Sequence, residues 1–381
     1  MRYNQMSKKY RVGIIGTGRM GGLIDDEISA NSFMSPYGHY SAYSSIDQTE
    51  VVAIANRGEE RLQKFSDRFG IKNTYLDYKE MIKKEELDIV SVTTPSHARA
   101  LPIIFAAENG VKGIYAEKGL CSSLSEADDI YRAIKTNNVA FNWGAMRRHH
   151  DGYLKLKKAI SEGEIGTPTY VMVFALTDLI KHHPHTLDTV ATLIGDPRPL
   201  WVEGSFLSKE ELISKMGHDE SRLSSIGPRA YPEYDSNNKK FLPPPGEEIA
   251  DPMVGFYRVG YENGIEAVFV PVPNMFDFEV YGSAGRVYSW DNGETMHIRK
   301  AKWDNSVDIE NIKIFSKGDG PTVSTIHEIL KEIEFGEKTT GNIDVTMQTV
   351  EIQFALAQSH LNGGARVEIP LKDRSIFVPG G

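Results

Sequence analysis

Residues 12–21, VGIIGTGRMG, constrain this chain more than any other stretch: a β-branched apolar run passes directly into Gly16-Thr17-Gly18-Arg19-Met20-Gly21, a G-x-G-x-x-G. Such a run reads as a buried strand, and each glycine after it has a mechanical task. The first allows a tight turn, the second a close backbone approach to a pyrophosphate, the third close packing of a following helix. The pattern predicts a strand, a phosphate-binding turn and a helix that open a doubly wound α/β sheet able to hold a dinucleotide. Gly16, Gly18, Arg19, Met20 and Gly21 are the candidate cofactor contacts there.

The same rhythm continues through VVAIA (51–55), IVSVTT (89–94), GIYAE (113–117) and VAFNW (139–143). Helical apolar periodicity between these runs predicts a parallel sheet covered on both faces. After Arg147 the pattern changes to a helix over about 151–162, an EGEIG turn, an extended TYVMVFALTD run and a helical stretch near 186–194. GFYRVGY, EAVFVPV and FEVYGS then read as antiparallel strands. We therefore expect a dinucleotide-binding Rossmann domain over 1–146 and an α+β domain over 147–381. The stretch rich in Pro, Gly, Ser and Asp at 220–250 is expected to be either a flexible insertion or a loop covering a site.

At 381 residues the chain has room for more than one core. Lys+Arg 43 against Asp+Glu 52 leaves a net charge of −9, which disfavours nucleic acid or an anionic membrane as partner and favours a small molecule. A single cysteine, Cys121, excludes an internal disulfide. The polar N-terminal stretch and the absence of an apolar run near ~18 residues point to the cytoplasm.

A carboxylate for the adenosine ribose is expected about 20 residues past the glycines. Here Asn56-Arg57 ends the second run, delayed by an insertion in LIDDEISANSFMSPYG. Asn lacks the charge that repels a 2′-phosphate and Arg can pair with one, so these residues lean toward NADP over NAD. Alternatively, Asn56 bonds a 2′-hydroxyl while Arg57 sits in solvent.

Together, GTGRMGG, Thr94-Pro95-Ser96-His97, Glu117-Lys118, Asn142 through Arg148, EGEIGTP, His185-Thr-Leu-Asp188 with Gly195, and YGSAGRVYSW resemble the glucose–fructose oxidoreductase, inositol dehydrogenase and rhizopine-catabolism (Gfo/Idh/MocA) oxidoreductase family. The resemblance implies a Rossmann domain followed by a substrate-binding domain with an open, mostly antiparallel sheet that builds homodimers or homotetramers. It also implies an NAD(P)-dependent oxidoreductase acting on a hydroxyl of a sugar, cyclitol or glycoside.

Oxidising an alcohol by hydride transfer requires a group that removes its proton. Lys118 follows a strand at its carboxyl end, where ligands of open α/β sheets bind and where burial lowers a lysine pKa. The resemblance makes it the first catalytic candidate and a contact to both cofactor and substrate. It makes His185 the second, with Asp188 one helical turn on to orient the ring or bond the lysine. Thr94, Pro95, His97 and Glu117 are implied cofactor contacts, and Met146 and Arg147 implied substrate contacts.

Two positions depart from the family pattern: Gly119 stands where Pro is usual, leaving the Lys118 turn open, and Lys181 where an Asp is usual. Asp178 and His182 restore the Asp-x-x-x-His spacing in a shifted register that loses the Asp188 and Gly195 match; we prefer His185, with Lys181 as a second cation toward the substrate. His149, His150, His182, His183 and His185 are not read as metal ligands, because Pro184 is expected to break helical spacing among them. Trp201, Tyr231 and Tyr234 are candidate stacking partners for a sugar ring. Two rival functions are a glycoside-cleaving enzyme that retains NAD through transient oxidation, and a non-catalytic sugar or dinucleotide sensor.

Overall fold

The computed structural model describes residues 9–28, 32, 34–216, 226–273, 276–304, 306–313 and 319–381. Among these, the chain forms two compact units. The first takes in described residues of Met1–Leu120, Asp128–Met146 and Ser316–Ile343, and the second those of Cys121–Ala127, Arg147–Phe315 and Asp344–Gly381.

The first unit is built on a six-stranded parallel sheet: β1 (Tyr10–Ile15), β2 (Thr49–Ala55), β3 (Asn73–Tyr75), β4 (Ile89–Val92), β5 (Gly113–Ala116) and β6 (Ala140–Trp143), ordered β3-β2-β1-β4-β5-β6. That is the doubly wound Rossmann order, whose direction reverses between β1 and β4. Val12 and Ile14, two apart on β1, enter two adjoining apolar clusters that share Val51. Val12 packs with Ile89, Tyr115 and Ala140, and Ile14 with Ile54, Leu62, Phe65 and Ile71. The helices α1 (His39–Ser44), α2 (Glu59–Phe69), α3 (Tyr78–Lys84), α4 (Ala100–Glu108) and α5 (Leu124–Asn137) alternate with the strands.

Three expectations need correction. The helix predicted to open at the glycine turn is only an irregular five-residue turn, Arg19–Leu23, with non-helical backbone at Gly22, and regular helix resumes at α1. The insertion supplies the reason, since the Asp25 carboxylate accepts the N–H groups of Tyr37 and Gly38 and closes the intervening loop. The boundary at 146 also fails to divide the chain cleanly. Helix Pro321–Phe335 belongs to the first unit because Val323, Ile326, Ile329 and Leu330 complete the cluster around Val12 and Tyr115. Pro184, finally, starts a helix instead of breaking one, as its missing N–H falls in a first turn that needs no donor.

The second unit combines α6 (Asp151–Ser161), α7 (His183–Ile194) and α8 (Lys209–Met216) with a nine-stranded sheet. Its strands are β7 (Pro168–Ala175), β8 (Pro199–Phe206), β11 (Val254–Tyr261), β12 (Glu266–Val270), β13 (Phe276–Gly282), β14 (Gly285–Trp290), β15 (Thr295–Ala301), β16 (Val307–Asn311) and β17 (Val367–Glu368). All neighbours pair antiparallel except β12 with β7, so the sheet is mostly antiparallel as expected. Within 226–250 the anticipated loop holds a packed hairpin, β9 (Glu233–Asp235) with β10 (Lys240–Leu242), with Phe241 buried and bonded to the Phe377 carbonyl. This part is no flexible insertion; residues 220–225 lie outside the described residues.

Candidate active site

The glycine turn leaves β1 with the Gly16 N–H donated to the Ala55 carbonyl at 2.8 Å and Gly16 at φ +105°. A Cβ at Gly21 would stand 2.5 Å from the Gly16 carbonyl oxygen, while one at Gly18 would meet nothing within 4 Å. The third glycine therefore closes the turn on itself and the second leaves open space beside it. Thr17 is fully buried, and its hydroxyl has no partner among the described residues. An open approach at Gly18 next to an unsatisfied buried hydroxyl fits the pyrophosphate of a dinucleotide.

Two further loops are tied to this turn. The Thr93 hydroxyl, past the end of β4, donates to the Gly16 carbonyl at 2.8 Å. Buried Arg99 then donates to the carbonyls of both Thr94 and Gly119. The glycine turn, the Thr94–His97 loop and the Glu117–Lys118–Gly119 turn thus form one hydrogen-bonded set at the carboxyl ends of β1, β4 and β5. In an open α/β sheet ligands bind there, at the reversal of strand order. The Lys118–Gly119 peptide is cis, and Lys118 is half-buried.

Glu117 is buried. Burial alone would raise its carboxyl pKa, but the hydrogen bond from His39, followed by the charges of Lys118, His39 and Arg99, holds it below the ordinary value. Its Oε1 lies 3.1 Å from His39 Nε2, and its Oε2 accepts the Lys118 main-chain N–H at 3.2 Å. At the end of β2, Asn56 donates its side-chain amide to the Gly58 carbonyl at 3.0 Å, and Arg57 is exposed. Thr94 donates its hydroxyl to the Ala98 carbonyl; Pro95 precedes the 3₁₀ turn Ser96–Ala98 and His97 lies within it.

Met146, buried, ends the first unit's share of the candidates. In the second unit Arg147 donates to the side-chain amide oxygen of Asn292 and lies 5.0 Å from the Phe276 ring centroid. Arg148 and His150 are buried instead of forming part of a solvated run; the His150 imidazole accepts the Gly152 N–H and caps α6. His185 occupies the first turn of α7, half-buried, and Lys181 is exposed ahead of that helix. Asp188 takes part in a buried ion pair. Its Oδ1 accepts Arg148 Nε at 2.6 Å, and the same guanidinium forks onto Asp196 at 2.7 and 3.1 Å.

His39, Thr93 and Arg99 are the participants that the sequence reading missed. His39, Ala42 and Tyr43 stand at helical i, i+3, i+4 spacing, a signal that puts the histidine on a buried face. Arg99 is a charge adjoining the apolar ALPIIFAA stretch, and nothing local identifies its partners.

This fold and this turn define a dinucleotide-binding Rossmann protein with an appended α+β unit. Residues 10–144 match the model of the Gfo/Idh/MocA oxidoreductase family, NAD-binding Rossmann fold. Over those residues, about a third of its length, the chain is similar to that family. It is 25% identical over 263 residues to an uncharacterized oxidoreductase, YrbE, of Bacillus subtilis, covering 69% of this chain and 67% of that one. It is 27% identical over 158 residues to myo-inositol 2-dehydrogenase of Thermotoga maritima, where the match spans 42% of each chain, less than half the length of that relative. The fold is also that of the crystal structure of myo-inositol 2-dehydrogenase from Lactobacillus plantarum, at TM-score 0.67 and 20% identity over 95% of this chain and 100% of that one. Among the described residues no helix is long and apolar enough to cross a membrane.

Proposed function

We propose that the protein moves hydride between a nicotinamide dinucleotide and a hydroxyl-bearing carbon of a sugar, cyclitol or glycoside, with Lys118 carrying the substrate proton. The observation that supports this most is the chain of hydrogen bonds from Gly16 through Thr93, and from Thr94 through Arg99 to Gly119, which ties the phosphate-binding turn to the turn that bears Lys118. Relatives named as inositol dehydrogenases support a polyhydroxylated substrate.

Gly16, Gly18, Arg19, Met20 and Gly21 would hold the pyrophosphate, Asn56 and Arg57 the adenosine ribose, and Thr94, Pro95, His97, Glu117 and Lys118 the nicotinamide half. When bound, the dinucleotide supplies the hydride acceptor or donor. Lys118 takes the hydroxyl proton in oxidation and returns it in reduction. His185 is the second proton-transfer group, and Met146, Arg147 and Lys181 contact substrate. Exposed Arg57 favours NADP over NAD. The reading includes assembly into two or four copies.

The test begins by denaturing purified protein and identifying any released dinucleotide by mass. Cyclitols, aldoses and glycosides, myo-inositol among them, are then screened for absorbance change at the nicotinamide band with NAD and with NADP. Lys118→Met should leave dinucleotide affinity intact and cut turnover by about two orders of magnitude or more. Unchanged turnover would overturn the assignment. Release of an aglycone with no net reduced dinucleotide would replace it with redox-assisted glycoside cleavage.

A further inference from the structure

We propose that His39 is a positioning residue for Lys118, acting through the Glu117 carboxylate; the inference rests on the reading of Lys118 as the proton carrier. His39 is fully buried at the start of α1, stacked on Tyr115 with ring centroids 4.1 Å apart. Its Nδ1 meets the Ser91 hydroxyl of β4, and its Nε2 meets Glu117 Oε1 at 3.1 Å. With both ring nitrogens engaged and one face covered, the imidazole has a single orientation.

Glu117 is the middle of the relay, because its other oxygen accepts the Lys118 main-chain N–H. The space around that carboxylate is tight. A Cβ on Gly144 would come within 2.9 Å of Oε1, so the glycine keeps room for the carboxylate and limits its alternatives. The titratable and charged groups facing Glu117 are His39 from α1, Lys118 from its own turn and Arg99 from the segment before α4. Tyr115, one residue behind Ala116 on β5, has its own ionisation suppressed by burial and by Glu117.

The insertion after the glycine turn then has a purpose. Asp25 closes it by gripping the Tyr37 and Gly38 N–H groups at 2.8 and 3.1 Å, and the next residue is His39. Removing the imidazole would leave a desolvated carboxylate short of one donor. Such a group takes up a proton or turns away, and either change loosens the hold on the Lys118 backbone.

The experiment compares His39→Leu, His39→Gln, Glu117→Gln and Lys118→Met in the full-length protein. NAD and NADP affinities are read by fluorescence titration, kcat and KM with the most active compound of the panel, and the Glu117 protonation state by infrared difference spectra of the unliganded protein. His39→Leu should lower kcat about tenfold or more with dinucleotide affinity within about twofold, the signature of lost orientation. A protonated-carboxyl band should appear in His39→Leu and vanish in the His39→Leu/Glu117→Gln double variant. Glutamine keeps a donor near the Nε2 position, so His39→Gln should restore kcat to within about threefold.

If Lys118→Met abolishes turnover while His39→Leu keeps wild-type kcat, this inference fails and the catalytic reading stands. If Lys118→Met is fully active, both fail together. A parallel loss of affinity and kcat in His39→Leu without rescue by Gln would make His39 a core residue and overturn the inference. Should His39→Leu not fold, Glu117→Gln carries the test: wild-type kcat there overturns the relay, and a tenfold loss of kcat at saturating dinucleotide supports it.

Discussion

Replacing Asp188 with alanine separates two duties for this residue, steering His185 or anchoring Arg148. The structure commits Asp188 Oδ1 to Arg148 Nε at 2.6 Å, with the two side chains 1% and 2% exposed. Removing one member of a buried pair typically costs 3–5 kcal/mol because the remaining charge is left uncompensated. Arg148 keeps its fork onto Asp196, which holds the guanidinium protonated, so the lower end applies: about 3 kcal/mol. For a unit of about 200 residues, that is a fall in Tm of about 6–12 °C. Differential scanning calorimetry of Asp188→Ala reads it directly. The double variant Arg148→Met/Asp188→Leu removes both members of the buried pair, leaves the partly exposed Asp196 as the one charge of the three, and should lose less than the sum of the single changes. If Asp188→Ala melts with the wild type while kcat collapses, Asp188 serves the His185 imidazole and the ion-pair argument is wrong.

Gly18→Ala should fold with an unchanged Tm, because the added methyl meets nothing within 4 Å, yet bind NAD at least about tenfold more weakly; equal affinity would show that no pyrophosphate approaches there. His183 predicts an acid dependence of stability. Burial, opposed by the charge of Asp178, depresses its pKa from 6.5 to about 3, and Thr177, Thr186 and Tyr257 surround the neutral ring. Below about pH 6.5 the unfolded chain binds a proton that the folded one refuses. Stability is therefore fully present above that pH and falls on acidification by about 1.4 kcal/mol per unit until near pH 3. Denaturant melts between pH 6 and 4 should show a shallower slope for His183→Gln, and identical slopes would refute the assignment.

The strand-to-glycine-turn signal was readable because its physics is local: an apolar run, three glycines and a carboxyl-end lysine each have a meaning within a few residues. The family's separated motifs were readable for the same reason. What surrounds them was not. Arg99 bonds Gly119 across 20 positions, His39 reaches Glu117 across 78, and Arg148 reaches Asp188 across 40. No periodicity encodes such a pairing. The early helix break likewise depends on Asp25 finding Tyr37 and Gly38, and Pro184 could be placed only by knowing on which side of it the helix lay.

The sequence alone determined the parallel layer, the phosphate-binding turn, the antiparallel strands of the second half and the lysine at the end of the fifth strand, because hydrophobic period and glycine chemistry act between near neighbours. Tertiary structure decided which buried charges meet. It paired Asp188 with Arg148, gave helix Pro321–Phe335 to the first unit, and set His39 against Glu117. A desolvated charge must find its partner wherever in the chain that partner lies, and only the folded packing brings the two together.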